Sequence, residues 1–164
     1  MQCFPTPPEG RYRGWEQIPG TEDNRELTRT GRGTPAGEYL RRFWQPVALS
    51  QEIGELPVAV QILGEKLVLF RDKGGRLGLL HRHCSHRGAS LEFGIVSERG
   101  LRCAYHGWKY DVDGTILDTP ALPPDSPVKH KLCHGAYPTV EYAGLVFAYF
   151  GPPAAMPPFP VLDA

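Results

Sequence analysis

From residue 44 onward, apolar positions fall in short runs broken by glycine, aspartate and proline. The runs predict strands over Trp44–Ser50, Val58–Leu63, Lys66–Arg71, Leu77–Leu80, Lys109–Val112, Thr115–Leu117, Thr139–Tyr142 and Leu145–Phe150. Between them stand Gly64-Glu65, Lys73-Gly-Gly75, Asp113-Gly114 and Ala143-Gly144, pairs and triplets of the kind that tight turns require. Short strands, frequent turns and no alternation with long helices predict a mainly β fold, an antiparallel sandwich or small barrel. One short helix is predicted from Pro35 to about Phe43. Thr34 would cap it, Pro35 sits in its first turn, and Leu40 and Phe43 give a short apolar stripe.

The ends carry a different pattern. Residues 1–33 are polar and rich in glycine and proline, which predicts an N-terminal arm that packs on something else. Residues 34–150 hold the predicted domain. Residues 151–164 begin Gly151-Pro-Pro-Ala-Ala-Met-Pro-Pro-Phe-Pro160, an extended proline-rich linker.

Composition narrows the class. The chain has 164 residues, enough for one domain with arms, and 41% of them are hydrophobic, enough for one modest core. Eighteen Lys and Arg balance eighteen Asp and Glu. That excludes the basic footprint of a nucleic-acid binder and the polybasic patch of a membrane-surface protein. The longest apolar run, Ala143 to Phe150, is too short to span a bilayer, and Met1 to Gly10 lacks the apolar stretch of a signal peptide. A cytoplasmic protein, with no membrane and no nucleic-acid partner, is expected.

In that setting the four cysteines, Cys3, Cys84, Cys103 and Cys133, are expected as free or metal-bound thiols rather than disulfides. Two of them stand beside histidines. Cys84-Ser-His86 and Cys103-Ala-Tyr-His106 are a C-x-H and a C-x-x-H separated by 16 residues. They offer two thiolates and two imidazoles in matched pairs. Gly88 and Gly107 follow the pairs and allow backbone N–H groups to approach an anionic sulfur. The same four side chains could also make a tetrahedral Cys2His2 zinc module. Zinc fingers typically pair like with like, whereas each loop here mixes one Cys with one His.

His83-Cys84-Ser-His86-Arg-Gly-Ala-Ser90 together with Cys103-Ala-Tyr-His106-Gly-Trp-Lys-Tyr-Asp111 resembles the two cluster loops of Rieske iron–sulfur proteins. It is most similar to the N-terminal domain of ring-hydroxylating oxygenase α subunits. The segment from Leu27 to Trp44 resembles phthalate-type oxygenases in particular, and the likeness runs from about Leu27 to Pro153. The resemblance implies a Rieske-type 2Fe-2S cluster, with Cys84 and Cys103 on one iron and His86 and His106 on the other. It also implies supporting positions. Arg87 could orient a partner carboxylate, Gly88 and Gly107 shape the loops, Trp108 shields the cluster, and Tyr110 supplies a hydroxyl.

Where cytochrome bc-type relatives carry a disulfide between the loops, this sequence has Ala89 and Tyr105, and where they carry a serine it has Trp108. Fewer hydrogen bonds to sulfur favour the oxidised state, so a low potential is expected. His81 and His83 are expected beside the site rather than in it, His130 and His134 as loop histidines, and Cys133 as a free thiol.

In the family, oxygen chemistry takes place at a mononuclear iron held by two histidines and a carboxylate in a C-terminal domain. No histidine follows His134. The expected function is therefore single-electron transfer, with oxidoreductase (dioxygenase) chemistry carried by a domain outside this chain. A flavin/iron-sulfur reductase or a ferredoxin would be the donor, and the mononuclear-iron oxygenase domain the acceptor. A free-standing Rieske ferredoxin-like carrier is the second reading, and the zinc module the third.

Overall fold

A computed structural model describes residues 24–123 and 125–161. Two short helices, α1 (Arg25–Thr28) and α2 (Pro35–Leu40), precede strands β1 (Trp44–Leu49), β2 (Val58–Ile62), β3 (Glu65–Arg71) and β4 (Leu77–His81). Then come β5 (Ile95–Val96), β6 (Leu101–Arg102), β7 (Lys109–Tyr110) and β8 (Ile116–Asp118). Helix α3 (Val128–Lys131) leads to β9 (Ala136–Tyr137), β10 (Thr139–Tyr142) and β11 (Leu145–Tyr149). The strands form three sheets, ordered β1-β11-β10, β2-β3-β4-β9 and β5-β6-β7-β8, with every pairing antiparallel. The mainly β architecture agrees with the sequence pattern.

The β2-β3-β4-β9 sheet is the middle layer, and β3 shows why. Successive side chains of a strand point to opposite faces. Leu67 and Leu69 join Leu79, Val146, Ala148 and Phe150 in one core, whereas Val68 and Phe70 join Leu80, Leu101, Trp108 and Tyr110 in another. All four β3 residues are fully buried. A strand covered on both faces has no polar side to display, which accounts for the unbroken Leu-Val-Leu-Phe run. The hairpins β2-β3 and β10-β11 turn through Leu63-Gly64 and Ala143-Gly144. Both central residues of each have positive φ, as the type I′ turn requires.

Helix α2 ends earlier than the sequence suggests. Thr34 Oγ1 caps it by accepting from Gly37 N at 3.2 Å, and Pro35 opens it. Arg41 then turns inward, where its guanidinium donates to the Leu63 carbonyl at 2.9 Å and pairs with Glu65. That buried guanidinium belongs to the C-cap residue, directly after the last helical residue, Leu40. Leu40 packs on the core, but Phe43 lies beyond the helix and is exposed, so it is no part of an apolar stripe.

The predicted arm up to residue 23 lies outside the described residues. Beyond it, Arg32 donates to the Tyr137 hydroxyl at 3.0 Å, fastening this stretch to β9. At the other end Trp44 Nε1 donates to the Pro157 carbonyl at 3.1 Å, and Phe159 packs on Trp44 and Phe147. Among the described residues no helix is long and apolar enough to cross a membrane.

Candidate metal centre

Two loops at one end of the molecule carry the four candidate ligands. The first leaves β4, is tied at its base by the Leu91 N–H to the Arg82 carbonyl at 2.7 Å, and is bridged between His83 and Ser90. The second joins β6 to β7. Their backbones make the same turn. Gly88 N donates to the Cys84 carbonyl at 2.8 Å, and Cys84 N to the Ala89 carbonyl at 2.9 Å. In the second loop Gly107 N donates to the Cys103 carbonyl at 3.0 Å, and Cys103 N to the Trp108 carbonyl at 2.8 Å. Each turn closes through a glycine four residues after its cysteine, with φ of 70° at Gly88 and 75° at Gly107. That left-handed conformation explains why both loops carry glycine there. The histidines differ by one place, second after Cys84 and third after Cys103.

The turns sort the ligands by chemistry. Cys84 and Cys103 are buried free thiols that lie near enough to influence each other. His86 and His106 lie with ring centroids 4.8 Å apart, His106 exposed and His86 half-buried. His86 stacks flat on Trp108 at 4.8 Å with an interplanar angle of 1°. Its Nδ1 is buried and has no hydrogen-bond partner. Among the described residues, no three His, Cys, Asp or Glu side chains converge as a single ion requires. The donors stand instead as a sulfur pair and an imidazole pair. That division suits two irons with two protein ligands each, and a buried, unpartnered Nδ1 is an atom that a metal could satisfy.

The electrostatics agree. Burial pushes the Cys103 thiol up, and Cys84 adds to this, while the N–H groups of Tyr105 and His106 oppose it by facing the sulfur. Burial, then the charges of His106 and Arg87, push His86 down and keep its ring in the neutral form that binds metal. Tyr110 Oη lies 2.9 Å from Cys84 Sγ. Burial and then this bond to Cys84 raise the phenol well above its ordinary value, so it stays protonated and donates.

Of the expected supporting residues, Trp108 lies buried beneath His86, Tyr110 is fully buried against Cys84, and Arg87 is exposed beside the loop. His83 closes the first loop through its Nδ1, 3.1 Å from the Gly88 carbonyl. His130 and Cys133 are exposed, and Cys3 lies outside the described residues. His134 is a different matter, because it is buried and reaches the first loop through Ser85 Oγ at 2.7 Å. The sequence gives no local sign of a contact 49 residues apart.

Asp111 was also hidden. It ends the second loop's motif and accepts from Arg76 at 2.6 Å and from Arg99 Nε at 2.8 Å, while Arg76 also bonds Asp72 at 2.7 Å. This network ties the loop-bearing sheet to the β3-β4 turn. Burial alone would raise Asp111. The hydrogen bonds from Arg99, the Val112 N–H and Arg76 outweigh it and hold the carboxyl below its usual range.

A β domain that presents paired thiols and paired imidazoles from twin turns defines an iron–sulfur class of protein. Residues 43–141 match the Rieske 2Fe-2S domain; the chain belongs to that family, and its cofactor is a Rieske-type 2Fe-2S cluster. It is 62% identical over 93% of its length to the tert-butanol monooxygenase / tert-amyl alcohol desaturase oxygenase subunit of Aquincola tertiaricarbonis, covering 32% of that protein. It is 51% identical over 91% of its length to the phenoxybenzoate dioxygenase subunit alpha of Ectopseudomonas oleovorans, covering 36%. The crystal structure of dicamba monooxygenase with non-heme iron and dicamba superposes with a TM-score of 0.68 at 32% identity, over 77% of this chain and 38% of that one. The chain thus spans about a third of the length of these curated relatives.

Proposed function

We propose that this chain is the electron-entry domain of a Rieske oxygenase of the ring-hydroxylating type, with Cys84 and Cys103 on one iron and His86 and His106 on the other. The observation that carries the assignment is the division of the donors into a buried sulfur pair and an outward imidazole pair. When bound, the cluster supplies storage and transfer of one electron. The protein does the rest. Tyr110 and the Tyr105 and His106 N–H groups direct hydrogen-bond donors at the sulfurs. Trp108 lies stacked beneath the His86 ring and keeps water from its inner face. His106, exposed at the tip, offers an electron a way out, and Arg87 beside His86 can pair with an acidic group on a partner.

In this reading residues 34–150 are the cluster domain, and residues 151–164 lead toward a mononuclear-iron oxygenase domain, the electron acceptor. A flavin/iron-sulfur reductase or ferredoxin is the donor. Both curated relatives are named as oxygenase subunits, one acting on a tertiary alcohol and one on phenoxybenzoate. Substrate choice therefore belongs to the catalytic domain rather than to the cluster loops.

Anaerobically prepared protein should be coloured and, once reduced, give a Rieske electron paramagnetic resonance (EPR) signal that His86→Ala and His106→Ala abolish. A colourless protein holding one zinc would overturn the proposal, and a signal surviving either substitution would overturn the ligand assignment. With alanine and tyrosine at the bc-type disulfide positions, the midpoint potential should be negative. A redox titration centred at positive potential would contradict that.

A further inference from the structure

We propose that His134 is a positioning residue for the cysteine side of the cluster, acting through Ser85 to fix the hydrogen bond that Tyr110 donates to Cys84. The inference rests on the reading of Cys84 as a cluster ligand.

Both ring nitrogens of His134 are committed. Nε2 lies 2.7 Å from the His81 carbonyl, which can only accept, so Nε2 carries the hydrogen. Nδ1 of the neutral ring must then accept, and Ser85 Oγ, at 2.7 Å, is its donor. Burial pushes the ring below its ordinary pKa and keeps it neutral. With no free nitrogen, His134 is no candidate ligand itself.

Its backbone is as constrained as its ring. The His134 N–H donates to the Gly114 carbonyl at 2.8 Å, and a Cβ at Gly114 would fall 2.0 Å from the His134 carbonyl oxygen. The backbone is thus clamped against the Gly114 turn, and the two ring hydrogen bonds hold the imidazole. From there it backs the Tyr110 ring, with centroids 4.4 Å apart and planes inclined by 34°.

Ser85 directly follows Cys84. Its main-chain N–H faces the Tyr110 hydroxyl, which in turn lies 2.9 Å from Cys84 Sγ. Holding the Ser85 side chain against His134 thus keeps the first loop in the orientation where Cys84 Sγ and the Ser85 N–H both face the phenol. The anchor spans two sheets, because His81 ends β4 and Tyr110 ends β7. A residue that only filled space would need no matched donor and acceptor at its two ends.

The test is the midpoint potential of the cluster-bearing chain, followed by EPR. His134→Phe keeps a ring and removes both polar contacts, and Ser85→Ala removes only the donor. Each should shift the midpoint to more negative values, in the direction that Tyr110→Phe does. The double variant should shift no further than the larger single one, since the two groups act in series. His134→Asn, which places an acceptor near the Nδ1 position, should recover part of the loss. An unchanged midpoint in a His134→Phe protein with full cluster occupancy overturns the proposal, and so do additive shifts. If His134→Phe does not fold, Ser85→Ala decides, and an unmoved midpoint there overturns it. A parent chain that binds no 2Fe-2S cluster refutes the ligand reading, and this proposal falls with it.

Discussion

The bond between Tyr110 and Cys84 is where one atom should matter most. A donor aimed at a sulfur stabilises the reduced, more negative cluster more than the oxidised one. Tyr110→Phe removes that donor from a fully buried position and leaves the ring in place. If the bond is ~1–2 kcal/mol stronger in the reduced state, the midpoint should fall by ~40–90 mV for one electron. A redox titration of the variant checks this, and an upward shift would contradict it. The proposed ligands stand out in the sequence because their chemistry is written locally, in two pairs of Cys and His with glycine after each. Ser85 and His134 do not, because their partnership exists only after β4, β7 and the segment before β9 have come together.

At the scale of elements, pattern and structure agree wherever a strand is long enough to show a pattern. The eight predicted strands all exist, with no end moved by more than two residues. Of the four two-residue strands, β7 falls inside a longer predicted run, whereas β5, β6 and β9 carry no period of their own and are set by pairing with neighbours. The turns were legible from glycine, but their tolerance was not. Gly114 has φ of 85° and its missing Cβ would strike a backbone oxygen; Gly75 has φ of 86° with nothing within 4 Å. Gly75→Ala should therefore cost only the ~1–2 kcal/mol of the left-handed conformation. Gly114→Ala should cost ~3 kcal/mol or more, because the His134 backbone must also move. Urea denaturation of the two variants compares them directly, and equal costs would mean that the close approach at Gly114 is relieved cheaply.

For the whole molecule, charge arithmetic showed balance but not placement. Asp72 and Asp111, both almost wholly buried, join two sheets through Arg76 and Arg99. For each, hydrogen bonds outweigh the upward push of burial and lower the carboxyl pKa below its ordinary 3.8. A carboxylate depressed in the folded state binds fewer protons there than in the unfolded chain. Its contribution is full above the ordinary value and is lost as pH falls from there through the lowered folded value. Stability should thus decline as pH drops below 3.8, and Asp111→Asn should both lower stability at neutral pH and flatten that acid decline. Thermal melts across the acid range check it. The layering was legible only in part, since the Leu-Val-Leu-Phe run announced a strand without showing that two cores depend on it. That sharing bears on how the molecule comes apart. With Leu67 and Leu69 in one core and Val68 and Phe70 in the other, neither half can melt while its neighbour stays intact. Amide hydrogens across these residues should exchange with deuterium only when the entire domain opens, and more slowly than those of the cluster loops. Any opening confined to the loop end would therefore leave the frame beneath it closed.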